Sequence, residues 1–314
     1  MRSFKIQAVV LVCVFGLLVL TVACGMPAKE RLHVTTEENV LSIRSGDSVL
    51  SCYRYSDVPF KPCVQQLLSP QGVNVLRDSP ADHKHHHALM FAVAVDGVNF
   101  WEEQKEPGRQ VHKQFTDVKA DKHNGTPYGG FVERLDWVNP RTEELLLEES
   151  RRIEVSSLKD FNATLLSWQS RLSAPAAKES VTLSGSHYFG LGMRFVQSMD
   201  ANGRFRNSEG GTGEVVRGDE RVTPARWCAY TAQANGKLVT VAMFGHPDNV
   251  RGPTLWFTMT KPFAYLSATL NLYREPLKIA RDKPLVLRYA VALWDGQVED
   301  SLIDQVYRRW VENN

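Results

Sequence analysis

Residues 227–244 read WCAYTAQANGKLVTVAMF, and this stretch decides the fold class. Two runs rich in aromatic and β-branched residues, Trp227–Tyr230 and Leu238–Phe244, flank the dipeptide Asn235-Gly236. Asn-Gly between such runs favours a type I′ turn, whose twist matches that of two antiparallel strands. The stretch therefore predicts a β-hairpin.

The same period of two recurs outside the hairpin. Leu166, Trp168, Ser170 and Leu172 alternate with their neighbours, and 285–294 is a dense apolar run. Further turn dipeptides separate such runs: Asp96-Gly97, Asn124-Gly125, Asn202-Gly203 and Asp295-Gly296. Many short strands joined by glycine turns predict an all-β protein, an antiparallel β-sandwich with a supersandwich-like arrangement as a variant.

One helix is expected, at the C-terminal end of the sequence. Its apolar residues recur at steps of three and four: Leu302, Ile303, Val306, Tyr307 and Trp310. Asp300 or Ser301 could cap its first turn. We expect a helix over Ser301–Val311 whose apolar face packs on a sheet.

The first 25 residues have the layout of a secretory leader. Arg2 and Lys5 precede an apolar run, 6–23, which ends in Ala23-Cys24-Gly25. The alternative is an uncleaved membrane anchor, because the run is almost long enough to span a bilayer. We expect an exported, periplasmic protein with a leader at residues 1–25 and a single β-rich domain at 26–314.

Cys24 adds a second possibility for the same boundary. Leu20-Thr21-Val22-Ala23 before it resembles a bacterial lipobox, although Leu20 stands one residue too far from Cys24. Thr21 and Ala23 equally suit ordinary signal peptidase. A lipid anchor on Cys24 is the only membrane attachment that the sequence predicts.

Charge and cysteine content narrow the function. The net charge of +2 and the pI near 8.2 give no basic field, so no nucleic-acid partner is expected. After the leader, Cys52, Cys63 and Cys228 remain. They allow at most one disulfide, Cys52–Cys63 being the closest pair, or three buried thiols.

The densest polar cluster is Asp82-His83-Lys84-His85-His86-His87. In an extended chain His83, His85 and His87 would project to one side. We expect His83 and His85 to bind a divalent metal ion, the candidate cofactor, and His86 to act as an acid or base. The alternative is a solvated surface loop.

A second cluster, His246-Pro247-Asp248-Asn249, follows the apolar strand of the hairpin. His246 and Asp248 are candidate catalytic residues, and the alternative is a turn fixed by Pro247 and an Asx hydrogen bond. Because sandwiches gather distant loops at one end, we expect both clusters to share one pocket.

Arginines and tryptophans are the candidate substrate-binding residues. Arg194 and Arg226 could bind hydroxyl-rich or carboxylate ligands. Trp101 and Trp256 offer flat apolar faces that suit a sugar ring, although core packing is the simpler role for each. Carboxylates that could act as acids are Glu102, Glu103, Glu133 and Asp136, and their spacing singles out none of them.

Several of these motifs recur in one order in a known family. They are Lys61-Pro62, Leu68-Ser69-Pro70-Gln71-Gly72, Asp82-His83-Lys84-His85-His86, Gly97-Val98-Asn99-Phe100-Trp101, Gly190-Leu191-Gly192-Met193-Arg194, Ala225-Arg226-Trp227 and His246-Pro247-Asp248-Asn249. Over roughly 49–294 the chain resembles an uncharacterised bacterial family, abundant in planctomycetes and Bacteroidetes and often labelled methane oxygenase PmoA-like. In that family Arg-Gly commonly follows the paired histidines, where this chain has His87-Ala88.

The resemblance implies a carbohydrate context rather than the chemistry of the label. The membrane subunit of particulate methane monooxygenase is a helical bundle, whereas this chain has β periodicity. We therefore expect a carbohydrate-active protein, a metal-assisted hydrolase or lyase acting on a sugar, keto-sugar or oligosaccharide. The alternatives are a non-catalytic glycan- or cell-wall-binding module and, more weakly, a copper or iron oxygenase.

Overall fold

The computed structural model describes residues 32–200 and 202–314. The predicted leader at residues 1–25, with Cys24, lies outside the described residues. No helix among the described residues is long and apolar enough to cross a membrane.

The secondary structure consists almost entirely of strands. The first eleven are β1 (Leu32–Glu37), β2 (Val40–Ser45), β3 (Ser48–Arg54), β4 (Cys63–Leu67), β5 (Leu89–Ala92), β6 (Ala94–Val95), β7 (Val98–Asn99), β8 (Arg109–His123), β9 (Thr126–Asn139), β10 (Glu144–Leu158) and β11 (Ala163–Ser173). The next eleven are β12 (Ser180–Ser184), β13 (Gly190–Arg194), β14 (Arg204–Asn207), β15 (Glu214–Arg217), β16 (Glu220–Pro224), β17 (Trp227–Ala234), β18 (Lys237–Gly245), β19 (Leu255–Met259), β20 (Tyr265–Thr269), β21 (Leu277–Ala280) and β22 (Leu285–Asp295). Helix α1 (Asp300–Glu312) follows the last strand, and short 3-10 turns occur at Lys159–Phe161 and Gln197–Met199.

The strands form three antiparallel sheets. The large sheet has the order β1-β2-β3-β4-β5-β13-β20-β19-β16-β15, and the second sheet the order β14-β17-β18-β22-β11-β10-β9-β8. A small third sheet has the order β21-β12-β6-β7. With 56% of residues in strands and 7% helical, the prediction of an all-β sandwich with one C-terminal helix is confirmed.

The predicted hairpin is present and lies in the second sheet. Strand β17 pairs with β18, and Asn235 and Gly236 between them have φ values of 51° and 82°. Two positive φ values in succession are what a type I′ turn requires. The Asn-Gly dipeptide therefore sets the register of this pair.

Alternation along the strands of the second sheet produces two apolar layers. One set of residues joins the main core shared with the large sheet: Val239, Val241, Met243, Leu287, Tyr289, Val291 and Leu293. The intervening residues face the other way and form a separate cluster with α1: Ala242, Phe244, Ala290, Ala292 and Trp294. The central strands β18 and β22 of the second sheet are therefore buried on both faces.

Helix α1 covers the outer face of the second sheet, as its periodicity predicts. Ile303, Val306, Tyr307 and Trp310 are buried. The expected capping differs, because the N-cap residue is Glu299 and no side chain caps the first turn. The Asp300 carboxylate instead accepts a hydrogen bond from Nε of Arg206 at 2.6 Å.

A buried ionic network crosses the main core. Arg151 donates through Nε and Nη2 to the two oxygens of Glu149, at 2.9 and 2.8 Å, and through Nη1 to the Tyr53 hydroxyl at 2.9 Å. That hydroxyl donates to Glu133, and burial raises the pKa of the Glu133 carboxyl. Glu133 therefore belongs to the core.

The three described cysteines are free thiols. Cys63 is buried, and burial raises the pKa of its thiol. Strand pairing places Cys63 opposite Arg54 and Cys52 opposite Gln66. The predicted alternative of three buried thiols therefore holds for Cys63 and Cys228, whereas Cys52 is also free but only partly buried.

Candidate active site

The histidine cluster forms a compact loop before β5, and not the extended segment that the alternation predicts. The His83 amide donates to the Pro80 carbonyl, and the His86 amide to the His83 carbonyl, both at 3.0 Å. The loop closes where the Ser79 amide donates to the His86 carbonyl at 2.9 Å. These turns bring His83, His85 and His86 together and separate His87 from them.

The three imidazoles contact one another. The ring centroids of His83 and His86 are 4.8 Å apart, those of His85 and His86 4.5 Å, and those of His83 and His85 5.6 Å. Phe263 lies across the group, with its ring centroid 4.6 Å from that of His83. His83 and His85, the predicted metal-binding pair, and His86, the predicted acid–base residue, therefore lie in one cluster.

These rings border a cavity of about 280 Å³, here called the histidine pocket. Its lining residues are His83, His85, His86, Trp101, Glu102, Tyr188, Arg217, Glu220, Phe257, Met259, Pro262, Phe263 and Tyr265. The cavity equals roughly nine water molecules in volume. It is therefore sized for a small ligand or for one unit of a larger one.

One face of the large sheet forms the floor of the pocket. Register places Met259 of β19 opposite Tyr265 of β20, and Phe257 opposite Ser267 on the same face. Strand β16 adds Glu220 at its start, and Val222 pairs with Phe257. Pairing between strands that are distant in sequence thus brings the carboxylate beside the aromatic rings.

Glycine allows Trp101 to lie against this floor. A Cβ on Gly192 of β13 would come within 2.2 Å of the Tyr265 hydroxyl and 2.6 Å of Cη2 of Trp101. The indole also stacks on Phe189, with ring centroids 5.1 Å apart and an interplanar angle of 11°. The second glycine of the Gly-Leu-Gly-Met-Arg motif, Gly192, is therefore required by close packing.

His87 anchors the loop from behind the pocket. Its Nδ1 lies 2.9 Å from Oδ1 of Asp78 and its Nε2 lies 2.8 Å from Oε1 of Glu103. Glu103 also accepts a hydrogen bond from Nζ of Lys61 at 2.6 Å. Burial opposes the charge of His87, but its two hydrogen-bonded carboxylates raise its pKa.

Ala88 shows why a glycine suits the position after this anchor. Its φ is 48°, in the left-handed region, and the residue is 1% exposed. An alanine there costs on the order of 1 kcal/mol of backbone strain that glycine avoids. A glycine at position 88 would therefore adopt this conformation without that strain.

Two histidines of the pocket, His85 and His86, are held neutral. Burial is the largest of the effects that lower the pKa of His86 far below its usual range. The neighbouring side chains add to it, in the order His85, His83, Arg194 and Lys61. Burial and the Lys61 ammonium also lower the pKa of His85. Neutral imidazoles can accept a proton or donate an N–H hydrogen bond to a ligand oxygen.

Arg194 acts on the pocket from outside it. The side chain is 1% exposed and its guanidinium carbon lies 3.5 Å from the centroid of Phe263. Nη2 is 3.1 Å from Oδ2 of Asp82. The Arg194 charge contributes to the lowered pKa of His86. Phe263, which the guanidinium contacts, lines the cavity and Arg194 does not, so the binding of ligand by Arg194 stays a prediction.

Of the four carboxylates that the sequence leaves open, only Glu102 lines the pocket. Its Oε1 accepts a hydrogen bond from the Tyr188 hydroxyl at 3.0 Å. Burial and the Glu102 carboxylate raise the pKa of Tyr188 to about 12, so the phenol stays protonated and donates. Glu103 pairs with Lys61, Glu133 lies in the core, and Asp136 pairs with Lys113 at 3.2 Å.

The second predicted cluster does not join this pocket. The His246 ring lies against Trp310 of α1, with centroids 5.6 Å apart, on the outer side of the second sheet. Its Nδ1 accepts a hydrogen bond from the Asp248 amide at 3.2 Å, and the Asp248 side chain is 74% exposed. The single shared site is therefore corrected: His246 and Asp248 form a turn beside the helix.

Arg226 and Trp256 also lie elsewhere. The Arg226 guanidinium is 3.5 Å from Asp304 and 5.9 Å from the Tyr307 ring, both on α1. Trp256 is fully buried, and its Nε1 donates to the Ala225 carbonyl at 2.8 Å. Its strand neighbours Leu255 and Phe257 face the opposite side of the sheet, so Trp256 points away from the pocket.

Sequence reasoning missed Glu220, Tyr188, Phe263 and Tyr265. None of them belongs to a motif with a chemical signature. Tyr188 lies two residues before the Gly-Leu-Gly-Met-Arg motif, which is the one signal that could have indicated it.

Distant likenesses exist among solved structures. The galactosidase domain of an α-galactosidase–sucrose kinase has a TM-score of 0.45 and 8% identity, and the match covers 84% of this chain and 42% of that one. A family 36 α-galactosidase from Geobacillus stearothermophilus, in complex with 1-deoxygalactonojirimycin, has a TM-score of 0.48 and 9% identity over 89% and 42%. A protein from Salmonella typhimurium assigned as a mutarotase has a TM-score of 0.40 and 13% identity over 86% and 97%.

The chain thus spans less than half the length of the first of these structures. Likenesses this distant assign neither a substrate nor an activity to the chain. No curated protein matches it. The model of one family covers residues 40–308, which include the whole histidine pocket, and the chain therefore belongs to the Family of unknown function (DUF6807).

Proposed function

We propose that the histidine pocket binds a sugar and moves protons on it, so that the protein is a carbohydrate-active hydrolase or lyase. One observation carries the proposal: two carboxylates, Glu102 and Glu220, face the same small cavity as the neutral imidazoles of His85 and His86. Groups of these two kinds in one pocket can divide acid and base roles.

The walls of the pocket suit a sugar ring. Trp101, Phe257 and Tyr265 provide apolar surface, while carboxylates, imidazoles and Tyr188 provide hydrogen-bonding groups. Ligand sites typically combine aromatic walls with a few placed polar groups. A sugar has the matching pair of surfaces, C–H groups on its faces and hydroxyls around its rim.

Two buried nitrogens beside the pocket support a ligand site. Nδ1 of His86 and Nε1 of Trp101 have no hydrogen-bond partner among the residues that the structure describes. Buried polar groups are normally paired. A small rearrangement that admits a hydroxyl-rich ligand would supply an acceptor to the indole N–H of Trp101 and a partner to Nδ1 of His86.

The chemistry can be assigned to residues. Glu102, held by Tyr188, accepts a proton from the ligand, and a neutral imidazole of His85 or His86 donates a hydrogen bond to the oxygen where negative charge develops. In elimination the proton leaves a carbon next to a carbonyl, a carbon–carbon double bond forms as the C–O bond at the adjacent carbon breaks, and the departing oxygen takes a proton from water. In hydrolysis the proton leaves an attacking water, whose oxygen bonds to the anomeric carbon as the glycosidic C–O bond breaks, and the departing sugar oxygen takes a proton from water.

The test combines binding with product analysis. Saturation-transfer NMR with D-glucose and D-galactose reports binding, and a polysaccharide panel is assayed for new reducing ends and for products with a carbon–carbon double bond. Glu102→Gln and His85→Asn should abolish turnover while binding persists. Absence of binding and turnover in the wild type would refute the proposal.

A glycan-binding module is the alternative from another class. It would need the aromatic walls but no proton transfer, so Glu102→Gln would leave its whole activity intact. Wild-type protein that binds sugars yet yields no product from any tested glycan would favour the module.

A divalent ion is a second ligand to test in the same pocket. The sequence predicts His83 and His85 as its ligands, and their ring centroids are 5.6 Å apart. Within residues 32–200 and 202–314, no group of three or more His, Cys, Asp or Glu side chains is placed to hold a metal ion. Elemental analysis of the native protein decides between a metal-assisted mechanism and one without a metal. Its copper and iron content also tests the oxygenase alternative.

A further inference from the structure

We infer that Glu220 is the carboxylate that receives two adjacent hydroxyl groups of the ligand, and that His187 and Arg217 hold it in the required orientation. The inference rests on the proposed function, because it takes the ligand of the histidine pocket to be a sugar. It names the ligand class more narrowly: a sugar unit with a free vicinal diol.

Each oxygen of Glu220 has a hydrogen-bond donor. Oε2 lies 3.0 Å from Nε2 of His187, and Oε1 accepts a hydrogen bond from Nη2 of Arg217 at 2.6 Å. The Glu220 side chain is 10% exposed and lines the pocket. Two donors on two different oxygens prevent rotation of the carboxylate plane, so its remaining lone pairs have a defined direction.

His187 is itself fixed. Its Nδ1 lies 3.2 Å from the Ser186 hydroxyl oxygen. Its ring packs against Tyr188 and Phe257, with centroids 5.1 and 5.5 Å away. A carboxylate can only accept, so Nε2 carries the proton toward Glu220 and Nδ1 accepts from Ser186. His187 is not among the pocket-lining residues and is therefore a positioning residue.

The free capacity of Glu220 specifies the ligand. An ionised carboxylate offers about four lone-pair sites on its two oxygens. The donors from His187 and Arg217 use one site on each oxygen, which leaves one site free on each, and we take this free pair to be the two sites that lie side by side. Two donors that lie side by side satisfy such a fork together. Adjacent hydroxyls on a sugar ring are donors of this kind, and the neighbouring Phe257 and Tyr265 can face the C–H groups.

The test measures hexose affinity in the full chain. D-Glucose and D-galactose are titrated into the wild type and into His187→Leu, His187→Gln, Arg217→Ala and Tyr273→Ala. A hydrogen bond to a charged group corresponds to about a tenfold change in affinity. His187→Leu should therefore weaken binding about tenfold, and His187→Gln, which restores an N–H donor, should recover most of it.

Two of the other variants guard against a merely structural effect. The Arg217 side chain is 76% exposed, so Arg217→Ala removes a donor of Glu220 without disturbing the core. Tyr273 is 72% exposed and contacts His187 only through its ring, at 6.3 Å, so Tyr273→Ala should leave affinity unchanged. Thermal unfolding of each variant reports folding separately.

Deoxy sugars supply the decisive comparison. Among the 2-, 3- and 4-deoxy forms of the hexose that binds, two that remove adjacent hydroxyls should bind the wild type more weakly, and His187→Leu should lose this discrimination. If a hexose binds the wild type but folded His187→Leu retains both affinity and discrimination, the inference fails and the proposed function stands. If neither hexose binds the wild type, the sugar proposal and this inference fail together.

Discussion

Gly192 lies directly beneath the indole of Trp101, so closely that a Cβ on the glycine would stand 2.6 Å from Cη2 of the ring. The same Cβ would stand 2.2 Å from the Tyr265 hydroxyl. Two of the aromatic walls of the histidine pocket thus depend on the absence of one methyl group on β13.

Gly192→Ala should therefore destabilise the protein and disturb the pocket. Overpacking of this kind costs on the order of 1–3 kcal/mol. Denaturant unfolding measures the cost, and hexose NMR reports the pocket. Gly211→Ala is the matched control, because a Cβ there meets nothing within 4 Å. Equal stability of the two variants would contradict the packing argument.

Val306→Asp tests the second apolar layer. Val306 is fully buried between α1 and the outer face of the second sheet. An unpaired carboxylate placed there must lose its hydration or expel the helix. We expect a loss of several kcal/mol in the free energy of unfolding, whereas Gln305→Asp, one residue away and exposed, should change it by about 0.5 kcal/mol or less.

Ala88→Gly and Ala88→Val should differ sharply. Glycine removes about 1 kcal/mol of left-handed strain but loses a buried methyl group and gains freedom in the unfolded chain, so its net effect is small. Valine adds volume at a buried site and is β-branched, which makes a φ of 48° more costly. If the Ala88→Val variant were as stable as the wild type in urea unfolding, the loop would have to adopt another backbone conformation.

The leader prediction concerns residues outside the described part of the chain, and intact mass of the native protein tests it. Small residues end the apolar run at Ala23-Cys24-Gly25, so the mature chain should begin between Cys24 and Met26. A diacylated Cys24 would identify a lipoprotein, and an unmodified terminus a periplasmic protein. A native mass that still includes Arg2 would contradict both.

Local patterns predict the features that local chemistry determines. Asn235-Gly236 predicts the hairpin, and the spacing of Val306 and Trp310 predicts the buried face of the helix. Both predictions succeed because turn preference and side-chain periodicity depend on only a few neighbouring residues. The prediction that the histidine segment is extended is wrong, because alternation alone does not reveal turns. Hydrogen bonds to the Pro80 and His83 carbonyls close this segment into a loop.

The site itself depends on information that local patterns lack. Glu220 reaches the pocket through the pairing of β16 with β19 and of β19 with β20. His246 misses it because the register of the second sheet places it beside α1. The pairing of distant strands depends on the whole core, so no single segment specifies which loops converge.

The neutral state of His86 predicts a stability that falls with acidity. Burial and nearby cations lower its pKa in the folded protein, while the unfolded chain titrates near the ordinary value of 6.5. Below about pH 6.5 the unfolded state therefore binds a proton that the folded state refuses, and stability decreases as pH falls. This group can lower the free energy of unfolding by at most about 1.4 kcal/mol per pH unit, or about 2 kcal/mol between pH 6.5 and 5.

Other groups change with pH in the same range, so the test compares variants. His87, whose pKa is raised, contributes stability that is fully present below about pH 6.5 and is lost as pH rises through its folded value, opposite in sign to His86. His86→Gln and His86→Phe remove only the His86 contribution, and Phe also preserves ring contacts with Phe263 and Tyr265. Urea unfolding of wild type and variants from pH 5 to 8 should show that both variants lose less stability toward pH 5. A variant whose unfolding free energy falls as steeply as that of the wild type would mean that His86 is protonated in the folded protein, and the neutral donor assigned to the pocket would have to be His85 alone.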